Sequence, residues 1–198
     1  MTSGAKLGLR ERFGGYALVS GAAGGIGRAF ATYLAEDGFD VLLVDREADE
    51  CRRLAETLRA EHGVDAQALI CDLSEPGLEE NVERWSEQYD IGLLVNNAGI
   101  SPLDPFLDIP LETHLATLDV NCRATLVLTH VIGRAMASRG KGGIIIVSSA
   151  SALSGSPYFC HYAATKGYGL NLACGLWSEL RETGVEVLAV CPGMTDTK

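Results

Sequence analysis

Tyr162 and Lys166 stand four positions apart in a stretch of helical periodicity. Residues at i and i+4 share one helix face, one turn apart. A free phenol has a pKa of about 10, and a neighbouring ammonium favours the phenolate. Such a pair can serve as general acid when a carbonyl is reduced and as general base when an alcohol is oxidised. The spacing by itself is equally that of a solvated surface pair, so a partner is needed. Ser149 offers one at the end of the apolar run 143–147, where its hydroxyl could hold a substrate oxygen against Tyr162. Ser148, beside it, is the better candidate for capping the turn.

A second constellation lies near the N-terminus. Ser20-Gly21-Ala22-Ala23-Gly24-Gly25-Ile26-Gly27 follows one apolar run and opens a helical pattern. Glycines at 21, 25 and 27 suit a tight turn, a close approach to pyrophosphate and close helix packing, with the helix N-terminus facing the phosphates. Asp45 ends the next apolar run. A carboxylate there accepts both adenosine ribose hydroxyls and repels a 2′-phosphate, which favours NAD over NADP. Arg46 is open to two readings, a phosphate partner for NADP or a solvated residue at a helix start.

Elements that could position these groups alternate along the chain. Strands are expected at 16–20, 41–44, 66–70, 91–95, 143–147 and 185–190, and helices at 25–37, 47–62, 75–88, 111–139 and 158–183. Wholly apolar strands are buried on both faces, as in parallel sheets covered by helices. Repeated βα units predict an α/β Rossmann fold, a doubly wound parallel sheet of order 3-2-1-4-5-6. The 198 residues form one expected domain, preceded by a polar tail over 1–13. Ligands of such sheets bind at the carboxyl edge.

The composition removes other classes. A net charge of −10 and the absence of a Lys/Arg stripe with interleaved aromatics argue against a nucleic-acid partner. No apolar run reaches the ~18 residues of a membrane span, and 1–13 lacks the apolar core of a signal peptide. The cysteines (Cys51, Cys71, Cys122, Cys160, Cys174, Cys191) form no C-x-x-C pair, and the four histidines have no zinc-ligand spacing. Reduced thiols, a cytoplasmic location and no metal are expected.

From about residue 16 to its end, the chain resembles the short-chain dehydrogenases/reductases. The matching pieces are Gly21-x-x-x-Gly25-x-Gly27, Asp72-Leu73, Asn96-Asn97-Ala98-Gly99, Asn121, Ser149, Tyr162-x-x-x-Lys166 and Pro192-Gly193. The resemblance implies a CH–OH oxidoreductase moving hydride between NAD(P)(H) and a secondary alcohol or ketone. Within it Tyr162 is the general acid/base and Ser149 orients the substrate oxygen. Lys166 lowers the tyrosine pKa and binds the nicotinamide ribose, and Asn121 holds a relay water. It further implies cofactor contacts at Gly21, Gly25, Ile26, Gly27, Asp45 and Arg46. Asp72 and Leu73 serve the adenine, and Asn97, Ala98 and Gly99 flank the adenosine ribose. Pro192 and Gly193 face the nicotinamide, with Thr195 and Thr197 at the carboxamide and phosphates. Without the resemblance, Asn121 reads as a helix-interior residue, Asn96 and Asn97 as turn residues, and Asp72 as an N-cap.

Two departures stand out. Ser20 replaces a common Thr, and the chain stops at Lys198, where the family continues with a lid and a seventh strand. Both are expected to be missing from this sequence, as from a fragment or an absent tail. The apolar run 153–159 hints at a lipophilic carbonyl or alcohol substrate. Phe159 and His161 could line the pocket or pack on a neighbouring helix. The stripe Leu170, Leu172, Leu176, Trp177 and Leu180 suits core or subunit interface, and a homodimer or homotetramer is expected. A rival reading is a catalytically weak dinucleotide-binding sensor or scaffold.

Overall fold

A computed structural model describes residues 8–195 of the chain. Six strands run parallel: β1 (Tyr16–Ser20), β2 (Asp40–Asp45), β3 (Ala66–Ile70), β4 (Ile91–Asn96), β5 (Gly142–Val147) and β6 (Val185–Val190). Their order is β3-β2-β1-β4-β5-β6, as expected. The chain reverses direction across the sheet between β1 and β4, so the loops leaving those strands part and open a crevice there.

The central strands are largely apolar because both of their faces are covered, whereas the edge strand β6 carries Glu186 and an exposed Leu188. Leu18, Leu42, Val44, Leu94, Ile144 and Ile146 join one buried cluster. Their alternate neighbours Ala17, Val19, Val41, Leu43, Leu93 and Val95 join the other. This is the period-2 pattern of a pleated strand with two interiors. Helices α2 (Gly25–Glu36) and α3 (Ala48–His62) add Leu34, Leu54 and Leu58 to the second cluster. Helix α4 (Leu78–Gln88), α5 (Leu111–Leu118), α6 (Ala124–Arg139) and α7 (Cys160–Glu179) follow, and α4 and α6 give Val82, Trp85, Leu128 and Ile132 to the first.

Four expectations need correction. The supposed tail contains the short helix α1 (Leu9–Phe13), whose Leu9 and Phe13 pack against the core. Helix α4 starts at Leu78, because Glu75-Pro76-Gly77 is spent on a turn. The long helix 111–139 carries a π turn over Asp119–Arg123, closed by the Ala124 N–H bonding Asp119 O. Helix α7 begins at Cys160 because Tyr158 has φ +65°, a conformation a bulky side chain rarely adopts, and a separate 3-10 turn holds Arg181–Thr183. The stretch Leu111–Arg139 is long and apolar enough to cross a membrane by length and composition. In this fold one face of it packs on the sheet, with Leu128, Ile132 and Met136 buried, while Leu111, Leu115, Leu118 and Leu126 are exposed.

Leu94 is fully buried in β4 at the sheet centre. Leu94→Ala is expected to lower unfolding free energy by ~2–5 kcal/mol, read as a lower urea midpoint at unchanged m-value.

Candidate active site

The turn after β1 is closed by contacts that tolerate no side chain. A Cβ on Gly27 would fall 2.0 Å from Gly21 O, so the first turn of α2 sits directly on the loop. A Cβ on Gly21, at φ +65°, would lie 2.8 Å from Ala98 Cα. Asn97 Nδ2 donates to Ser20 O and Gly21 O, and the Ser20 hydroxyl accepts from the N–H groups of Asn97 and Ala98. Ser20 therefore keeps a bracing hydroxyl despite replacing Thr. No side chain caps the N-terminus of α2, which leaves its first-turn N–H groups available to an anion.

Asp45 is pinned from both sides. Its Oδ2 accepts from Ala23 N at 2.8 Å and its Oδ1 from Glu47 N at 3.1 Å. Arg46 is exposed and turns its guanidinium toward Glu47 at 3.5 Å and Asp72 at 3.7 Å. Asp72 accepts from Ser74 N and Ser74 Oγ, and these bonds hold its carboxyl below the usual range. With Cys71, Leu73, Ile100 and Val120 these groups line a cleft of about 510 Å³.

A recess of about 220 Å³ adjoins it, walled by Ser149, Tyr162, Lys166, Pro192, Gly193 and Thr195. Ile26, Asn97, Gly99 and Tyr162 border both spaces, making one trough along the carboxyl edge. The glycine cradle, the open helix start and the pinned acid at one end fit a dinucleotide, and the second space is left for its nicotinamide half and a substrate. The sequence-predicted residues from Gly21 to Thr195 are thus brought to one trough, except Asn121, which lies behind it, and Gly27, which is buried under the glycine turn. Thr197 lies outside the described residues. Thr195 donates to Gly193 O at 3.1 Å.

Around Tyr162 two expectations change. Ser149, not Ser148, is the capping hydroxyl: it accepts from Ser151 N at the start of the 3-10 turn Ala150–Leu153 and from Ser151 Oγ at 2.9 Å. Ser148 points the other way and donates to Lys166 O at 2.8 Å. Burial raises the Tyr162 pKa, while the Ser149 hydroxyl draws it down. The Lys166 ammonium donates to Val147 O at 2.9 Å and sits 5.7 Å from the phenol ring centroid. Burial pushes Lys166 itself down to about 8, with a smaller opposing effect of Cys122.

Asn121 is buried, with both ends of its amide engaged. Oδ1 accepts from Ile100 N, and Nδ2 donates to Ile100 O and Thr165 Oγ1. A Cβ on Gly99 would come within 3.1 Å of Lys166 Nζ and 3.3 Å of Asn121 Oδ1, so these two groups face one another across a missing side chain. His161 packs edge-on against His114, with its Nε2 3.1 Å from His114 O. Phe159 leans toward Tyr162, at 6.2 Å between ring centroids. Sequence reasoning missed Arg123 and Thr165. Only the Asp119/Arg123 spacing of four, an ordinary helical ion pair, marked the first; nothing marked the second.

Comparison with known proteins agrees with this geometry. The short chain dehydrogenase family profile matches residues 15–198. The chain is 32% identical over 191 residues to a 7beta-hydroxysteroid dehydrogenase of Collinsella aerofaciens, covering 96% of this chain and 73% of that protein. It is 32% identical over 194 residues to a very-long-chain 3-oxoacyl-CoA reductase of Danio rerio, covering 96% of this chain but only 61% of the reductase. A short-chain dehydrogenase from Sphingobium yanoikuyae, solved in complex with NADPH, superposes with a TM-score of 0.89 at 33% identity, covering 92% of this chain and 72% of the other.

The buried ammonium makes a stability prediction. In the fold Lys166 titrates near 8, below its unfolded value of 10.5. The unfolded chain therefore binds more protons between those values, and stability must rise with pH there. Lys166→Met, neutral and apolar, is expected to be more stable than wild type at pH 7 by roughly 2–3 kcal/mol. Urea unfolding should show that gap narrowing from about pH 8 to 10.

Proposed function

The chain belongs to the short-chain dehydrogenase family, and from that premise we propose that it interconverts a lipophilic secondary alcohol and its ketone, with NAD as the preferred dinucleotide. One observation carries the reading: the Ser149 hydroxyl, the Tyr162 phenol and the Lys166 ammonium wall a single recess that continues into the dinucleotide-shaped cleft.

When bound, the dinucleotide supplies or accepts the hydride. The chain supplies the proton. In reduction, Tyr162 donates its phenolic proton to the substrate oxygen, and its raised pKa keeps that proton in place at neutral pH. Ser149 donates a second hydrogen bond to the same oxygen and fixes its position. In oxidation the phenolate forms, and the Lys166 ammonium is the nearest cation to it. Lys166 would also hold the nicotinamide ribose hydroxyls. Asn121 Oδ1 retains a lone pair beside Ile100 N, and the Gly99 gap between it and Lys166 suits a water passing protons to solvent.

The preference for NAD rests on Asp45. Two backbone N–H groups hold its carboxylate at the β2 exit, where a 2′-phosphate would meet a negative charge. Arg46 is drawn toward Glu47 and Asp72, two further acids. The lipophilic substrate rests on exposed apolar side chains of the loops at this edge, with Phe106, Leu107, Leu153 and Tyr158 all solvent-facing. Relatives named for a hydroxysteroid and for very-long-chain acyl groups support it. Six free thiols fit a cytoplasmic location. The groove between Leu126, Leu172, Leu176 and Leu180 fits a homodimeric or homotetrameric contact.

Turnover of a panel of ketones and alcohols tests the reading. Tyr162→Phe is expected to lower kcat about 10²–10⁴-fold with dinucleotide affinity retained. Full activity in Tyr162→Phe would refute the assignment, and tight dinucleotide binding without turnover of any substrate would favour a sensor or scaffold. Asp45→Ser is expected to move the NADH/NADPH ratio of kcat/KM toward NADPH by about tenfold or more. An unchanged ratio would remove Asp45 as the discriminating group.

A further inference from the structure

We infer that Arg123 is a positioning residue for the adenine end of the cofactor cleft, acting through the loop that follows β3. The inference rests on the reading of that cleft as a dinucleotide site.

Every nitrogen of this guanidinium is engaged. Nη2 donates toward three successive carbonyls of the loop, Leu73 O at 3.4 Å, Ser74 O at 3.2 Å and Glu75 O at 2.9 Å. Nη1 meets Glu79 at 3.0 Å, and Nε meets Asp119 at 3.1 Å. The loop carries Cys71, Asp72 and Leu73, which line the cleft, whereas Arg123 itself does not. Its carbonyls belong to no strand or helix ladder, so the guanidinium gathers acceptors that would otherwise leave the loop free to drift. A planar fork can do this, and a single ammonium cannot.

The same π turn serves the other end of the trough. Two residues before Arg123, Asn121 reaches the opposite way and brackets Ile100 by both its N–H and its carbonyl. Arg123 Nε meets the Asp119 side chain, whereas the π turn itself is closed by backbone, Ala124 N–H to Asp119 O. Asn121 holds Ile100 unaided, so that end of the trough does not depend on the guanidinium. The wall around the adenine and the loop behind Lys166 are tied to one five-residue segment by different residues.

The test uses ADP-ribose, which is the dinucleotide without its nicotinamide, and nicotinamide mononucleotide, which lacks the adenosine, both titrated by calorimetry. A loss confined to the first is then a loss at the adenosine end. Arg123→Met is expected to weaken ADP-ribose about tenfold while leaving the mononucleotide unchanged, and to raise hydrogen–deuterium exchange over residues 72–77. Arg123→Lys keeps the charge and is expected to fold; it should also weaken ADP-ribose, because it lacks the fork. Equal ADP-ribose affinity in wild type and both variants would overturn the inference. So would full recovery in Arg123→Lys, which would mean a charge effect, or parallel loss of both ligands with a lowered Tm, which would mean a general structural role. A wild-type chain that binds no ADP-ribose would refute the cofactor-site reading itself, and this inference with it.

Discussion

An ammonium buried to 8% exposure at the end of β5 governs the geometry of this site. Removing that charge from water is costly unless it is bonded, and the bond it makes is to Val147 O. A reciprocal bond runs back from the Ser148 hydroxyl to Lys166 O. Together they stitch the middle of α7 to the last residues of β5 and fix the height at which the helix crosses the strand. Tyr162, one turn earlier on the same face, then has no choice of position. On extended backbone, successive side chains point to opposite sides, so Ser148 turned toward the helix backbone leaves Ser149 facing the recess. The roles of the two serines follow from one register.

The cofactor half of the trough depends on close backbone approach, not on side-chain chemistry. Gly27 against the Gly21 carbonyl, and Asn97 against both Ser20 and Gly21, make the loop after β1 and the loop after β4 a single rigid edge. Asp45 is part of the same frame, because its carboxylate caps the N–H groups of Ala23 and Glu47. A group that already accepts two backbone bonds presents its remaining lone pairs in a fixed direction. That is the condition for discriminating a ribose hydroxyl from a phosphate.

Much of this was legible in the sequence, for identifiable reasons. Apolar runs marked the strands because both faces of the central sheet are covered, and Tyr16–Ser20, Ala66–Ile70 and Val185–Val190 match their expected bounds even though Gln67 and Glu186 interrupt the last two. The glycine turn announced itself because no other residue fits there. Features that depend on tertiary contacts were not legible. Asp119–Arg123 has ordinary helical composition, and its π turn carries Asn121 and Arg123, which bond groups on two separate loops. Ser148 and Ser149 are identical in type, so no local rule could say which caps. Helix α1 looked like a polar tail because Leu9 and Phe13 are its only apolar side chains on the core, helped by Arg10 lying over Phe39. The upward shift of Tyr162 was missed for a similar reason, since a spacing of four says nothing of how far the phenol is buried.

The two ends of the trough differ in how they are held, and that difference bears on function. Along the glycine turn and at Lys166, backbone and side-chain bonds fix the groups in place. Around the substrate, the rim is a set of solvent-facing apolar side chains on the loops after β4 and β5, with Leu107 at 90% and Leu153 at 74% exposure. One ordered feature joins these loops to the chemistry. Phe106 stacks on His114 with 4.5 Å between ring centroids, and His114 meets His161 edge-on at 4.7 Å, beside Tyr162. Both histidines face carbonyl oxygens through Nε2, that of Phe106 and that of His114, so each ring carries its hydrogen there. The rim is therefore anchored near the phenol by this stack and free at its edge. A scaffold of that kind can hold one arrangement at Lys166 and the glycine turn while its rim residues change, because a substitution at Leu107 or Leu153 touches neither the Lys166 bond nor the glycine cradle.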